Sequence, residues 1–279
     1  MTAQDRVDAV VGSTLLAKRG LREQLDGQPQ LDAVCRALGR GAVGDATQVA
    51  AARRLMQIAY TSATKNHALL RCSAASIVGA VVEAAQLGLS VDGVLGHSYL
   101  VPYKVRGKDV ATLQIGYRGF IHMAYSSGLV ERLAADVVYE GDLFDYQEGT
   151  EAFLHHRRPL DAPEDGVVLG AFALCQLKGT RTPIFRVMPL RQILRHRERS
   201  QSWKRKKQDS PWGTDFEAMA MKTAVRALAK LIPSSDMQRA SAADEQRDQG
   251  MRVSLVEAPA AGALPEGEID GQTNSLQDD

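Results

Sequence analysis

Two groups of residues in this chain carry side chains able to do chemistry. The first is acidic: Asp136, Glu140, Asp142, Asp145 and Glu148 fall in one short span, with His155 and His156 just after it. Carboxylates so placed can hold magnesium ions for phosphodiester cleavage. Their spacing matches no ligand pattern, so they read first as turn acids and strand-end histidines. A metal-dependent nuclease using Asp136, Asp142 and Asp145 stands as an alternative. The second group is cationic and aromatic: Tyr99, Tyr103, Tyr117, Trp203 and Trp212 lie among Lys104, Arg118, Arg197, Lys204, Lys222 and Arg226. Lys and Arg neutralise phosphates, and aromatic faces stack on bases, giving affinity for a single strand without sequence preference.

Charge distribution sharpens the second reading. The net charge is only +1, yet Arg181 to Lys207 holds ten Lys or Arg against one acid, Glu198. Ser234 to Asp279 holds ten acids against three bases. A basic body segment and an acidic tail that cancel in the total suggest a polyanion site and an interaction tail. The plainer reading is two solvated, charged surfaces.

The elements that must position these residues centre on Leu100 to Gly128. Val101, Tyr103 and Val105 alternate, Arg106 to Asp109 reads as a turn, and Ala111, Leu113, Ile115 and Tyr117 alternate again, which predicts a β-hairpin. Phe120, Ile121 and Ala124 then take helical spacing up to a stop at Gly128. Upstream, helices are expected from Asp45 to about Thr64 and from Ser73 to Leu87. Downstream, Leu133 to Tyr139, Phe153 to Arg157, Val167 to Leu177 and Ile184 to Met188 read as strands. A helix begins at Leu190, and its continuation RHRERSQSWKRKK has no apolar face, so residues 195–210 are expected to be a mobile basic arm. In the last helix Phe216, Met219, Thr223, Ala227 and Leu231 form the packed stripe, and Lys222, Arg226 and Lys230 line a cationic ridge. The organisation expected is α+β: a small antiparallel β-sheet of hairpins packed with helices. Residues 1–44 form a loosely ordered entry with one short amphipathic helix of Leu31, Val34, Cys35 and Leu38 ending at Gly39, 45–250 the core domain, and 251–279 a disordered acidic tail.

Several classes are excluded. There is no G-x-x-x-x-G-K-[ST] loop for ATP, no G-x-S-x-G elbow and no H-E-x-x-H. Cys35, Cys72 and Cys175 are odd in number and widely spaced, which indicates neither a disulfide framework nor zinc. No apolar run approaches a bilayer span, and the acidic N-terminus is unlike a signal peptide, so the cytoplasm is the default. No cofactor is expected: ATP is not required, and magnesium has no ligand motif.

The motifs AAQLGL (84–89), YLVPYKVRGKDVATLQIGYRGFIHMAYSSGLV (99–130), VVYEGDLFDYQEG (137–149), VVLGAFALCQLKG (167–179) and SPWGTDFEAMAMKTAVRALAKLIP (210–233) together resemble the RecT family. These are phage and prophage single-strand annealing recombinases, with lambda Bet a more distant relative. The resemblance covers about Asn66 to Ala243. It implies an α+β annealing core and an oligomeric ring or helical filament along a basic DNA groove. It also implies ATP-independent pairing of complementary strands in homologous recombination, with no catalytic step. The implied partners are single-stranded DNA and the annealed duplex, a cognate exonuclease and the host single-strand binding protein. The family's G-P-W turn falls at Ser210 to Trp212 with Ser in place of Gly, its K-T-A-x-R helix at Lys222 to Arg226, and its Y-R-G at Tyr117 to Gly119. On this basis Lys104, Arg118, Arg197, Lys204, Lys222 and Arg226 contact phosphates, and Trp212 shapes or stacks on the groove. A non-annealing single-strand binding or loading protein is the remaining rival.

Overall fold

In the computed structural model the chain is described over residues 3–39, 45–105, 107–163 and 166–250, with side chains from residue 13 onward. The turn residue Arg106, part of the Pro159 to Gly166 loop and the expected acidic tail from 251 lie outside the described residues. The order is three helices, α1 (Ala3–Leu25), α2 (Gln28–Leu38) and α3 (Ala46–Lys65), then α4 (Ala74–Gln86) and the hairpin β1 (Ser98–Val105) and β2 (Lys108–Ile115). Next come α5 (Tyr117–Ser126), β3 (Val130–Tyr139), a second hairpin of β4 (Leu143–Gln147) and β5 (Phe153–Arg157), and a third of β6 (Val168–Leu177) and β7 (Ile184–Pro189). The chain continues through α6 (Leu190–Arg199), α7 (Gln201–Lys206), α8 (Pro211–Thr214), α9 (Phe216–Ala229) and α10 (Ser235–Asp248). The fold is α+β with antiparallel sheets, as the sequence indicates: β1–β2, β3-β6-β7 and β4–β5.

The first hairpin forms, with Leu100 opposite Leu113 and Tyr103 opposite Val110, but Lys108 and Asp109, expected in the turn, already pair with Val105 and Lys104, and Tyr117, expected in the strand, opens α5. Leu100, Leu113 and Ile115 are buried against the helices, while Tyr99 stays exposed on the alternate side. Side chains satisfy the outer edge of β2. Ala111 N donates to Ser76 Oγ of α4 at 3.0 Å, Ile115 N to Asp244 of α10 at 3.1 Å, and Leu113 O accepts from Arg247 at 3.0 Å. An unpaired strand edge invites foreign pairing, and here two helices occupy it.

The structure corrects three expectations. The expected helix ending at Gly39 forms as α2, but residues 3–25 are helical as well, and Leu21, Leu25, Leu31, Val34 and Cys35 join the main core. Residues 195–210 are also folded: Ile193 anchors α6, Trp203 of α7 is buried, and α6 meets α7 at Ser200, which is fully buried. Their apolar residues are too few to register as a stripe, but one per helix suffices when each drops into an existing core. The α9 face also differs from the expected stripe. Ala220, Ala224 and Leu228 are fully buried, whereas Leu231 is 39% exposed. Helix α10 and strand β4 are additions that no periodicity announced.

Gly119, at the start of α5, sits directly on the loop before β1: a Cβ there would collide with the carbonyl oxygen of His97. Gly116 N donates to that same oxygen at 2.9 Å, so the helix start and the strand entry are pinned together. Gly119→Ala should therefore cost about 1–3 kcal/mol of stability, read as a lower urea midpoint with an unchanged slope.

Candidate nucleic-acid interface

The expected site residues separate into a buried pair and an exposed set. Lys222 and Arg226, on consecutive turns of α9, are 8% and 4% exposed. Both are spent on Asp244 of α10, which has no solvent exposure. Lys222 Nζ lies 3.0 Å and Arg226 Nη1 3.2 Å from its Oδ2, and the Ile115 N–H reaches its Oδ1. Arg226 also meets Asp248 at 3.5 Å, and Lys222 donates to Gln114 Oε1 of β2 at 3.2 Å. Burial alone would raise the Asp244 carboxyl, but Lys222, Arg226 and the Ile115 N–H hold it below the usual carboxylate range. The ridge that sequence spacing offered to phosphates is thus turned inward. Three groups that would each be costly to bury satisfy one another, and the phosphate-contact role expected of Lys222 and Arg226 has no exposed cation behind it.

Trp212 is likewise interior, 2% exposed and packed near Phe216 at 6.3 Å between ring centroids. Neighbouring Pro and Gly suggested an exposed loop, but here they shape a tight turn over the core. Ser210, where the family pattern has Gly, has φ −89° and ψ 161°, an extended conformation open to any residue. Its carbonyl accepts from Gly213 N and Thr214 N, so the turn keeps its hydrogen bonds.

The other expected residues are at the surface. Arg118 is exposed at the start of α5, with its Nε donating to the Tyr117 hydroxyl at 3.3 Å and its aliphatic stem close to Gly96. Exposed Tyr99 lies beside it. Tyr103 shares the Tyr99 side of β1, four residues on, which is about 13 Å along the strand. Burial, then the charges of Asp248 and Asp244, push the Tyr103 phenol up to about 12, and Arg205 of α7 is near enough to oppose them. Arg205 of α7 is thus within electrostatic reach of the hairpin. Lys204, Arg205, Lys206 and Lys207 are all exposed, and Arg197 is half-buried with its guanidinium carbon 4.3 Å from the Trp203 ring centroid. Lys104 sits nearer the hairpin turn, 3.8 Å from Asp109, which Arg71 also approaches. Sequence reasoning did not single out Arg205 and Lys207 as contacts; their place in the basic run was the available signal.

The acidic group makes no comparable site. The Asp142 residue is half-buried with its carboxyl covered, Oδ2 accepting from His156 Nε2 at 2.8 Å and from Tyr139 N at 2.9 Å. Burial would raise its carboxyl; the Tyr139 N–H and His156 hold it low. Asp136 caps the neighbouring Val137 N–H at 2.8 Å. Among the described residues, no group of three or more His, Cys, Asp or Glu is arranged to hold a metal ion. No helix among them is long and apolar enough to cross a membrane.

Ordered, exposed cations on α7 and an exposed tyrosine on β1 are chemistry that suits a polyanion, and the comparisons with known proteins supply the family. The chain belongs to the RecT family, whose profile matches residues 53–255. Protein RecT of Escherichia coli strain K12 is 40% identical over 200 residues, covering 70% of this chain and 72% of that protein. The uncharacterized protein YqaK of Bacillus subtilis strain 168 is 30% identical over 168 residues, covering 59% of this chain and 54% of its own length, so the chain spans about half of that relative. Family membership supports single-strand annealing in recombination as the general function.

Asp244→Ala should lower stability by about 3–5 kcal/mol, because Lys222 and Arg226 would be left buried without a counter-charge. Calorimetry or thermal denaturation reads it as a midpoint lowered by roughly 10 °C. Since the folded Asp244 carboxyl is held low, its contribution is complete at neutral pH and fades as pH falls through that depressed value. Asp244→Asn should accordingly lose less stability than the wild type between neutral and acid pH.

Proposed function

We propose that this protein binds single-stranded DNA along the surface running from Arg118 and Tyr99, past Tyr103, to the α7 cations, and anneals complementary strands without ATP. The observation that carries this reading is the exposed run Lys204 to Lys207 at the end of an ordered helix, with Arg205 within electrostatic reach of Tyr103. Family membership independently favours the same activity. The strand is held by its phosphates, which leaves base edges free for a complementary strand to test pairing. Arg118, Arg197, Lys204 and Lys104 contact phosphates, with Arg205 and Lys207 added to them. Lys222 and Arg226 are assigned a different part: with Asp244 they fix the hairpin against α9 and α10. The protein performs no covalent step and needs no cofactor for pairing. It works in the cytoplasm as an oligomeric ring or filament, with an exonuclease and the host single-strand binding protein as partners.

The test is the rate at which two complementary oligonucleotides become duplex, with and without protein and in the absence of ATP. Acceleration with intact strands is expected; tight binding without acceleration would leave a binding or loading protein, and shortened strands would revive the nuclease. Lys204→Ala combined with Arg205→Ala should weaken binding to every sequence alike. The slope of log affinity against log salt should fall by about 0.7 for each phosphate that the variant no longer neutralises. An unchanged slope in that variant would remove α7 from the interface.

A further inference from the structure

We infer that Trp203 stacks on a base of the bound strand, after Arg197 and Lys207 leave its ring for phosphates. The inference rests on the DNA-binding reading above and assigns the aromatic role to a residue other than Trp212, which the core encloses. Trp203 is itself only 7% exposed and joins the same core, but two cations also lie over its ring. The guanidinium carbon of Arg197 lies 4.3 Å and the Lys207 ammonium 5.3 Å from the ring centroid. Both cations belong to side chains that reach solvent: Arg197 is 25% exposed at its side chain, and Lys207 is exposed. Cation–ring contacts at exposed sites are weak and are readily exchanged for a phosphate.

Glu198 completes the arrangement. It is the one acid between Arg181 and Lys207. Its Oε1 accepts from Arg197 Nη2 at 3.1 Å, Arg197 Nε at 3.3 Å and the Trp203 indole N–H at 3.1 Å. A carboxylate gripping a guanidinium occupies the place a DNA phosphate would take, since both present oxygen pairs to the same planar donor fork. The lysine side is preset as well. Lys207 has φ 48° and ψ −117°, the one described non-glycine residue with positive φ. The buried Ser210 holds this conformation, its N and Oγ both donating to the Lys207 carbonyl at 3.0 and 2.5 Å. Strained backbone of this kind persists only where surrounding contacts fix it, and here it brings Lys207 over the indole. Lys204, Arg205 and Lys206, which follow Trp203 on α7, are exposed and free to meet further phosphates. A strand bound there supplies phosphates to Arg197 and Lys207 and a base to the ring they uncover.

The test follows tryptophan emission and the anisotropy of a dye-labelled oligo(dT) in the same titration of the full-length protein. Wild-type emission should be partly quenched on binding, with Trp212 supplying the unquenched remainder. Trp203→Phe, which keeps a stacking ring, should bind within about twofold of wild type and show no quenching, whereas Trp203→Leu should bind roughly tenfold more weakly with an unchanged salt slope. Glu198→Gln should bind more tightly than wild type, because the internal competitor for Arg197 loses its charge. Binding without quenching, or quenching that survives in Trp203→Phe, overturns the stacking role and leaves the DNA-binding reading standing. No binding by the wild type overturns both.

Discussion

The fold depends on one buried carboxylate. Asp244 has no access to water, and a charge so placed is tolerable only with partners in full. It finds them on two elements distant in sequence: Lys222 and Arg226 from α9, and the Ile115 N–H from the edge of β2. The same helix adds Arg247, which caps Leu113 O and meets Glu83 of α4 at 2.5 Å. The interaction therefore joins the first hairpin, the helix packed on the β3-β6-β7 sheet and the last helix into one body. Each partner is costly to bury alone, which makes the junction an all-or-none requirement.

That junction orients the exposed chemistry. β1 carries Tyr99 and Tyr103 on one side, α5 is pinned to its entry through Gly116 and Gly119, and α10 supports α6 and α7 from below through Gln249 and the charges around His196. The cations that reach solvent stand on a scaffold whose internal charges are already neutralised. A DNA strand thus meets a surface whose positive groups are available, while the inward ridge on α9 holds the geometry. The two sets are alike in composition, yet burial gives them opposite work.

Much of this was legible in the sequence. Alternation marked the first hairpin, and a run apolar on both faces followed by a turn marked β6 and β7, because a strand with one or both faces buried can be read from side-chain type alone. What failed was the inference from spacing to exposure. Lys222, Arg226 and Lys230 recur on one helical face, and only Lys230 is at the surface, because the partner that turns the ridge inward lies 18 to 22 residues further on. Helix α10 was hard to see for the same reason: only Met237 and Ala240 of its buried face are apolar, and the face continues with Ser241, Asp244, Arg247 and Asp248, which hydrophobic periodicity cannot report. Trp212 and Trp203 both join the core, and cations lie over the ring of Trp203. A Pro-Trp-Gly turn looks exposed locally, whereas a Trp in a lysine run looks incidental until the cations over its ring are seen.

The most direct test of the account is lysine reactivity, read by mass spectrometry after brief treatment with an amine-acylating reagent, in the free protein and with oligo(dT) bound. The account predicts that Lys204, Lys206 and Lys207 react in the free protein and are protected by DNA, and that Lys222 is unreactive in both. A Lys222 that reacts readily in the free protein and is shielded by DNA, with the α7 lysines unchanged, would return the binding surface to the α9 ridge and contradict the buried junction on which the structure is built.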